Sequence, residues 1–329
     1  MTKTFSAFRI YAEKEFIRAG IEELTLDDLS AGDVVIKVHY SSVNYKDALA
    51  GTGKGKILRH SPLNGGIDLA GEIVSSRDDR FQPGQQVLAN GSGLSEVHDG
   101  GYSEYARIPA DWVVPMPPGL NARSAMLLGT AGFTAALAIQ RLQDNHQTPE
   151  QGPVLVTGAT GGVGSFAIIL LNQLGFEVVA MTRQQDQNDY LTSLGAHKII
   201  ANDAVQIDQA ALHKGQWGAA IDNLGGDTLA WLTKSVKPAG NIASIGMAGG
   251  TRVDTTAMPF ILRGVSILGV TSAACRQDLR KRTWQSLGAE LLPQNLDQVF
   301  AGEVGMVELP ATFEKIMSGT HRGRYLVRL

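Results

Sequence analysis

The stretch Val154-Leu-Val-Thr-Gly-Ala-Thr-Gly-Gly-Val-Gly164 constrains this chain more than any other. An apolar, β-branched run leads into a glycine cluster, and the cluster leads into the apolar run from Phe166 to Leu171, which reads as strand, tight turn and helix. A dinucleotide pyrophosphate needs backbone N–H groups at a helix N-terminus with no side chain in the way. Gly161, Gly162 and Gly164, around Val163, leave that approach open. Ala159 stands where the G-x-G-x-x-G pattern has its first glycine, so the context has to support the motif. It does, because a second strand ends about 20 residues further on, where the fingerprint requires one. A glycine-rich turn that binds nothing is the plainer alternative.

That second strand closes with Thr182-Arg183-Gln184. A site for NAD would place Asp or Glu here to accept from the ribose 2′-hydroxyl, whereas an arginine can pair with a 2′-phosphate. Thr182 and Arg183 therefore favour NADPH, with an ordinary surface arginine as the alternative. Further strands read at 198–201, 219–223, 241–245 and 266–270, giving six separated by helical patterns and hence a doubly wound parallel sheet. The glycine turns at Gly225 and Gly246 belong at its carboxyl edge, where ligands bind. Val270 and Ser272, at the end of the last strand, complete this set of cofactor candidates. Before Asn121 the pattern is short and β-like, with strands at 34–40, 67–74 and 86–89 and long loops at 50–66 and 90–101. The final strand, 324–329, has no place in the parallel sheet and should rejoin this first lobe. The expected domains are 1–121 with 293–329, and 122–292.

With 329 residues, 43% hydrophobic and 19% charged, the chain suits two folded lobes. A formal charge of −3 gives no electrostatic case for nucleic acid or an anionic membrane. Cys275 is the only cysteine, so neither an intrachain disulfide nor a site needing two thiolates can form. The first twenty residues mix Lys3, Glu13, Lys14, Glu15 and Arg18 with apolar positions and lack the apolar core of a secretory signal. A cytoplasmic protein with no membrane partner is the expectation.

Several stretches together resemble a known family: Gly66-Ile-Asp-Leu-Ala-Gly71, Gly129-Thr-Ala-Gly-Phe-Thr134 and the turn from Ala159 to Gly164. The chain is similar to the medium-chain dehydrogenase/reductase superfamily, quinone-oxidoreductase branch. Ser42-Val-Asn-Tyr-Lys-Asp-Ala48, Thr52-Gly-Lys-Gly-Lys56 and Met258-Pro-Phe-Ile-Leu-Arg263 resemble its acryloyl-CoA reductase (NADPH) subfamily. The resemblance implies an α/β protein: a GroES-like β-rich catalytic domain plus a Rossmann six-stranded sheet, with the active site in the cleft between them. Zinc-dependent members carry cysteine where Asn44 stands, histidine where Ile67 stands and a second cysteine near Thr130. Asparagine is a poor zinc ligand and isoleucine is none, so no catalytic metal is expected.

Without a metal, the hydride acceptor must be polarised by its own carbonyl, as an α,β-unsaturated thioester or ketone is. The protein then orients the partners and stabilises the developing oxyanion. By the resemblance, Asn44, Tyr45 and Thr130 serve this catalysis, with Tyr45 and Thr130 also touching the cofactor, and Arg324 meets a cofactor or substrate phosphate. Asp47 reads as a turn cap and Asp68 as a paired structural carboxylate. For acyl-CoA phosphates the candidates are Lys54, Lys56, Arg59 and His60, or Arg276, Arg280 and Lys281, the latter group also reading as a solvated helix face. The implied reaction is acryloyl-CoA to propanoyl-CoA. The alternatives are reduction of quinones or free enones, and a non-catalytic NADPH-binding sensor. A homodimer through the strand 266–270 is expected.

Overall fold

The computed structural model describes residues 4–12, 16–205 and 207–329. Lys3, Glu13, Lys14 and Glu15 of the N-terminal stretch read above lie outside them. The chain divides into two compact units, Ala131–Thr271 and Met1–Thr130 with Ser272–Leu329.

Ala131–Thr271 is built on six parallel strands. Their order across the sheet is Lys198–Ala201, Val178–Thr182, Val154–Thr157, Trp217–Asp222, Val236–Ser244, Ser266–Gly269. Every residue of Val154–Thr157, Val178–Thr182 and Trp217–Asp222 is buried, as central strands covered on both faces must be. The chain winds outward in one direction from Val154–Thr157 and then returns to begin again beside it at Trp217–Asp222. This reversal is the point at which open α/β sheets bind their ligands. The six expected strands are all present, displaced by a few residues at their ends, with Val236–Ser244 beginning earlier than its apolar run suggested.

The other unit carries a seven-stranded sheet ordered Phe300–Val304, Arg324–Arg328, Val34–Ser42, Asp68–Ser76, Gln86–Asn90, Val114–Pro115, with Tyr105–Ile108 also paired to Val34–Ser42. A three-stranded sheet, Ile17–Leu24, Phe5–Ala12, Leu63–Asn64, completes it. The final strand does rejoin this unit, pairing Leu326 with Ser42 in antiparallel register. Val34, Ile36, Leu69, Ile73, Val87 and Ile108 form one core, and Phe8, Ile10, Leu63, Tyr102 and Phe313 another. Helix Gln277–Leu287, followed by Gly288, lies in this unit and not with the parallel sheet. Helix Leu309–Ser318 was not anticipated, although Leu309, Thr312, Phe313 and Ile316 stand at helical spacing and are its buried face.

Helix Ala122–Asp144 is the one helix among the described residues with the length and apolarity of a membrane span. Its most apolar window is 78% buried inside the protein, as in a core helix. At Gly129 its backbone breaks to φ 50°, ψ −155°, a conformation open essentially to glycine alone.

Candidate active site

The ends of several elements of the unit formed by Met1–Thr130 and Ser272–Leu329 meet around one carboxylate. Asp68 opens strand Asp68–Ser76, is fully buried, and accepts four hydrogen bonds. Its Oδ2 receives Ser42 Oγ at 2.5 Å, Asn44 Nδ2 at 2.7 Å and the Thr130 backbone N–H at 2.9 Å. Its Oδ1 receives the Thr130 hydroxyl at 2.6 Å. A carboxylate buried without countercharge would be costly, and Arg324 Nη2 lies 3.9 Å from Oδ2. That guanidinium also donates to Ser42 Oγ at 2.7 Å, Asn44 Oδ1 at 3.0 Å, and the carbonyls of Val43 and Leu127 at 2.9 and 3.2 Å.

This arrangement corrects the expectation for Arg324. Its side chain is 3% exposed and its donors point at protein oxygens, so it holds the network together and presents nothing to a phosphate. Asn44 caps helix Tyr45–Thr52, and both its amide protons are committed, one to Asp68 and one to Asp47. It is therefore an anchor in this structure and has no spare proton for an acceptor. The Thr130 hydroxyl gives its proton to Asp68 and accepts from Asn90 Nδ2 at 3.4 Å. Tyr45 is different. It is 46% exposed, and its hydroxyl bonds to none of the described residues.

Asp47 is the reciprocal cap. Its Oδ2 accepts the Asn44 backbone N–H at 2.9 Å and its Oδ1 that of Ile67 at 3.0 Å. Burial, with the Asp68 charge second, pushes its carboxyl up to about 7. Tyr102, buried beside it, is raised well above the usual phenol range by burial and by the same two carboxylates. Gly129 explains itself here, because a Cβ on it would lie 2.6 Å from Arg324 Nη2, 2.6 Å from Ser42 Oγ and 2.7 Å from Asp68 Oδ2.

In Ala131–Thr271 the glycine turn sits at the reversal of strand order. Gly161 caps helix Gly162–Gln173, so Gly162, Val163 and Gly164 form the first turn, whose N–H groups lack intrahelical partners. Gly164 is there for contact, since a Cβ would stand 2.4 Å from the Gly158 carbonyl oxygen and force helix from strand. Thr182 is buried and accepts from the Gln184 N–H at 3.0 Å, which turns the chain after the strand. Arg183 follows it, exposed, with no acid paired to it among the described residues. Gly225 and Gly246 lie in adjoining turns where backbone meets backbone, with Cβ positions 2.7 Å from the Gly250 oxygen and 2.3 Å from the Asn223 oxygen. Val270 continues the last strand through a bond to the Ser244 carbonyl, and Ser272 offers its carbonyl to Arg280.

Three of the basic candidates for an acyl-CoA, Lys54, Arg59 and Arg276, are paired with acids, whereas Lys56 is exposed without an ion pair among the described residues. Lys54 pairs with Glu314 at 3.0 Å, and Lys46 and Arg59 both pair with Glu96. Arg276 pairs with Asp278. Arg280 is fully buried, so it is neither a phosphate contact nor part of a solvated face. Its place was legible: Arg280, Thr283, Trp284 and Leu287 repeat at helical spacing and form the buried side of Gln277–Leu287. Cys275 is buried, and burial raises its thiol, the setting of a packed residue.

Comparison with known proteins agrees with this architecture. The family described as "Alcohol dehydrogenase GroES-like domain" matches residues 30–118, and that described as "Zinc-binding dehydrogenase" matches residues 162–288. The acrylyl-CoA reductase AcuI of Ruegeria pomeroyi is 42% identical over 94% of each chain. YhfP of Bacillus subtilis, provisionally named a quinone oxidoreductase, is 43% identical over the full length of both. Its crystal structure with NAD bound superposes with a TM-score of 0.96 over 100% of both chains. The yhdH oxidoreductase of Salmonella enterica, in complex with NADP, gives 0.95 at 42% identity, covering 98% of this chain and 99% of that one. The chain therefore belongs to the medium-chain dehydrogenase/reductase superfamily of oxidoreductases, in its quinone-oxidoreductase branch and among the acryloyl-CoA reductase-like proteins.

Proposed function

We propose that this protein is a zinc-independent, NADPH-dependent reductase of activated C=C bonds, with acryloyl-CoA as its acceptor and propanoyl-CoA as product. The observation that carries this reading is the closed network of Asp68, Arg324, Asn44 and Thr130. Where zinc-dependent relatives would gather metal ligands, Asn44 is bonded to a carboxylate and to a guanidinium, and a cation placed there would face Arg324. The network fixes the start of helix Tyr45–Thr52 and leaves Tyr45 as the exposed donor. As an acceptor's carbonyl oxygen gains negative charge, the Tyr45 hydroxyl and the helix N-terminus are suited to meet it.

The residues fit the cofactor. The first turn of Gly162–Gln173 offers unpartnered N–H groups for a pyrophosphate, with Gly225 and Gly246 in the neighbouring turns. Arg183, exposed and without a carboxylate beside it at the strand end, suits a 2′-phosphate. Tyr45, Thr130, Val270 and Ser272 are the candidates for its nicotinamide end. NADPH, when bound, supplies the hydride. The protein is expected to act on small molecules in the cytoplasm as a homodimer.

A second reading, reduction of quinones or free enones, is favoured by the pairing of Lys54 with Glu314 and of Lys46 and Arg59 with the single carboxylate of Glu96, which lowers, without cancelling, the positive charge that exposed Lys56 and its neighbours offer to CoA phosphates. Oxidation of NADPH, followed by absorbance with acryloyl-CoA, a simple enone and a quinone in parallel, separates the readings. Turnover confined to acryloyl-CoA supports the first, and turnover only with quinone or enone supports the second. NADPH binding without any turnover would point to a non-catalytic sensor.

A further inference from the structure

Arg280 is a buried cation that the chemistry above does not use. Burying a guanidinium costs several kcal/mol unless its donors find partners, and an aliphatic residue would cover the same helix face. What Arg280 bonds to is therefore informative. Its two terminal nitrogens address two separate pieces of chain. Nη1 donates to the backbone oxygen of Asn90 at 2.7 Å and to its side-chain Oδ1 at 2.9 Å. Nη2 donates to the carbonyls of Ser272 at 3.0 Å and Ala273 at 3.2 Å, with that of Cys275 at 3.4 Å. The Ser92 N–H adds a bond to the Ala273 carbonyl at 2.9 Å.

The Asn90 amide is held from two sides, since Trp284 Nε1 donates to the same Oδ1 at 2.9 Å. With Oδ1 fixed as the acceptor, Nδ2 is aimed at the Thr130 hydroxyl, which in turn donates to Asp68. One side chain thus ties the segment that leaves the last parallel strand to the carboxylate network through Asn90 and Thr130.

We propose that Arg280 is a positioning residue for the reductase, holding the segment from Ser272 to Cys275 in fixed register with Asn90, Thr130 and Asp68. The inference rests on the functional reading above. Lysine cannot replace it, because a single ammonium cannot span both sets of acceptors as a planar fork does.

Two substitutions test this. R280K keeps the charge and loses the span. N90D keeps an acceptor for both Arg280 and Trp284 and replaces the amide donor to Thr130 by a carboxylate oxygen, whose added negative charge lies beside Arg280. Binding of NADPH is read by fluorescence titration, apart from turnover, and folding by circular dichroism. R280K is expected to weaken NADPH binding about tenfold and lower kcat roughly 10- to 100-fold, because displacements near an ångström carry such costs. N90D is expected to lower kcat about tenfold with NADPH affinity within about twofold of wild type, since its segment stays held. A folded R280K with unchanged affinity and kcat, or an N90D with unchanged kcat, overturns the proposal. If R280K does not fold, combining N90D with T130V decides: kcat losses that fail to multiply support the chain of bonds, and losses that multiply overturn it. Wild-type protein that neither binds NADPH nor reduces any acceptor would overturn the functional reading itself, before any variant is made.

Discussion

At the scale of single residues, the site is governed by what burial does to charge. Asp47 is the clearest case, with its carboxyl pushed from 3.8 to about 7 by burial and by Asp68. Between those values the unfolded chain has released this proton while the folded protein keeps it, so folding takes up a proton. Stability must then fall as pH rises through that window and level off above about 7, by roughly 4 kcal/mol at most for this group. Urea unfolding of wild type from pH 4.5 to 7.5 should show that slope, and D47N, which cannot ionise, should flatten it. An unchanged slope in D47N would assign it to other groups. Gly129 makes a steric prediction. A methyl group there meets Arg324, Ser42 and Asp68 within 2.7 Å, on a backbone that alanine avoids. G129A should cost about 3 kcal/mol or more in unfolding free energy and most of the activity. A G129A protein as stable as wild type would mean that the network yields easily.

At the scale of elements, the proposed function makes the carboxyl edge of the parallel sheet the place where cofactor choice is tested. The strand Val178–Thr182 delivers Arg183 to the surface, and the tight turn through Thr182 and Gln184 fixes where it emerges. R183A should raise KM for NADPH about tenfold or more while leaving KM for NADH within about twofold, because only the former carries the 2′-phosphate. Equal losses for both would show that Arg183 does not discriminate. These elements were legible in the sequence because each parallel strand is a short apolar run ended by glycine or polar residues. A turn such as Gly158 to Gly164 also states its own geometry. The unit of Met1–Thr130 and Ser272–Leu329 is harder to read. Helix Leu309–Ser318 carries the spacing of a helix, yet it follows a short strand, Phe300–Val304, with little to mark it. Asn44, Tyr45 and Thr130 could be named from the resemblance, but not which of them keeps a free proton. That depends on Ser42, Asp68 and Arg324, which are far apart in sequence and meet only when the strands pair. Arg324 and Arg280 depart from expectation for one reason: a basic residue usually faces water, and here Arg324 faces carbonyls and a carboxylate while Arg280 faces carbonyls and the Asn90 amide oxygen.

At the scale of the whole molecule, the question is what the outer edge of the parallel sheet does. Strand Ser266–Gly269 pairs on one side with Val236–Ser244 and is the last strand of its sheet. Sheet edges in monomeric proteins are usually blunted by lysine, proline or a bulge, and the sequence Ser-Ile-Leu-Gly of this edge contains none of them. The opposite edge, Lys198–Ala201, begins with a lysine. Helix Met258–Arg263, just before the apolar edge, exposes Ile261 and Leu262, and the edge itself exposes Ile267. Water-exposed isoleucine and leucine beside unpaired backbone donors and acceptors is the composition of a surface that another copy can complete by pairing the same edge across a two-fold axis. Wild-type protein should therefore show the mass of two chains in light scattering coupled to gel filtration. I267K places a charge on the edge and should yield the mass of one chain with the circular dichroism of the folded protein, since the substitution touches no core position. A wild-type mass of one chain, or an I267K protein that remains paired, would reject the edge as the contact. If I267K is monomeric and still reduces its acceptor at the wild-type rate, each chain carries a complete site. If activity falls with the mass while NADPH binding persists, the second copy supports the site from outside the chain.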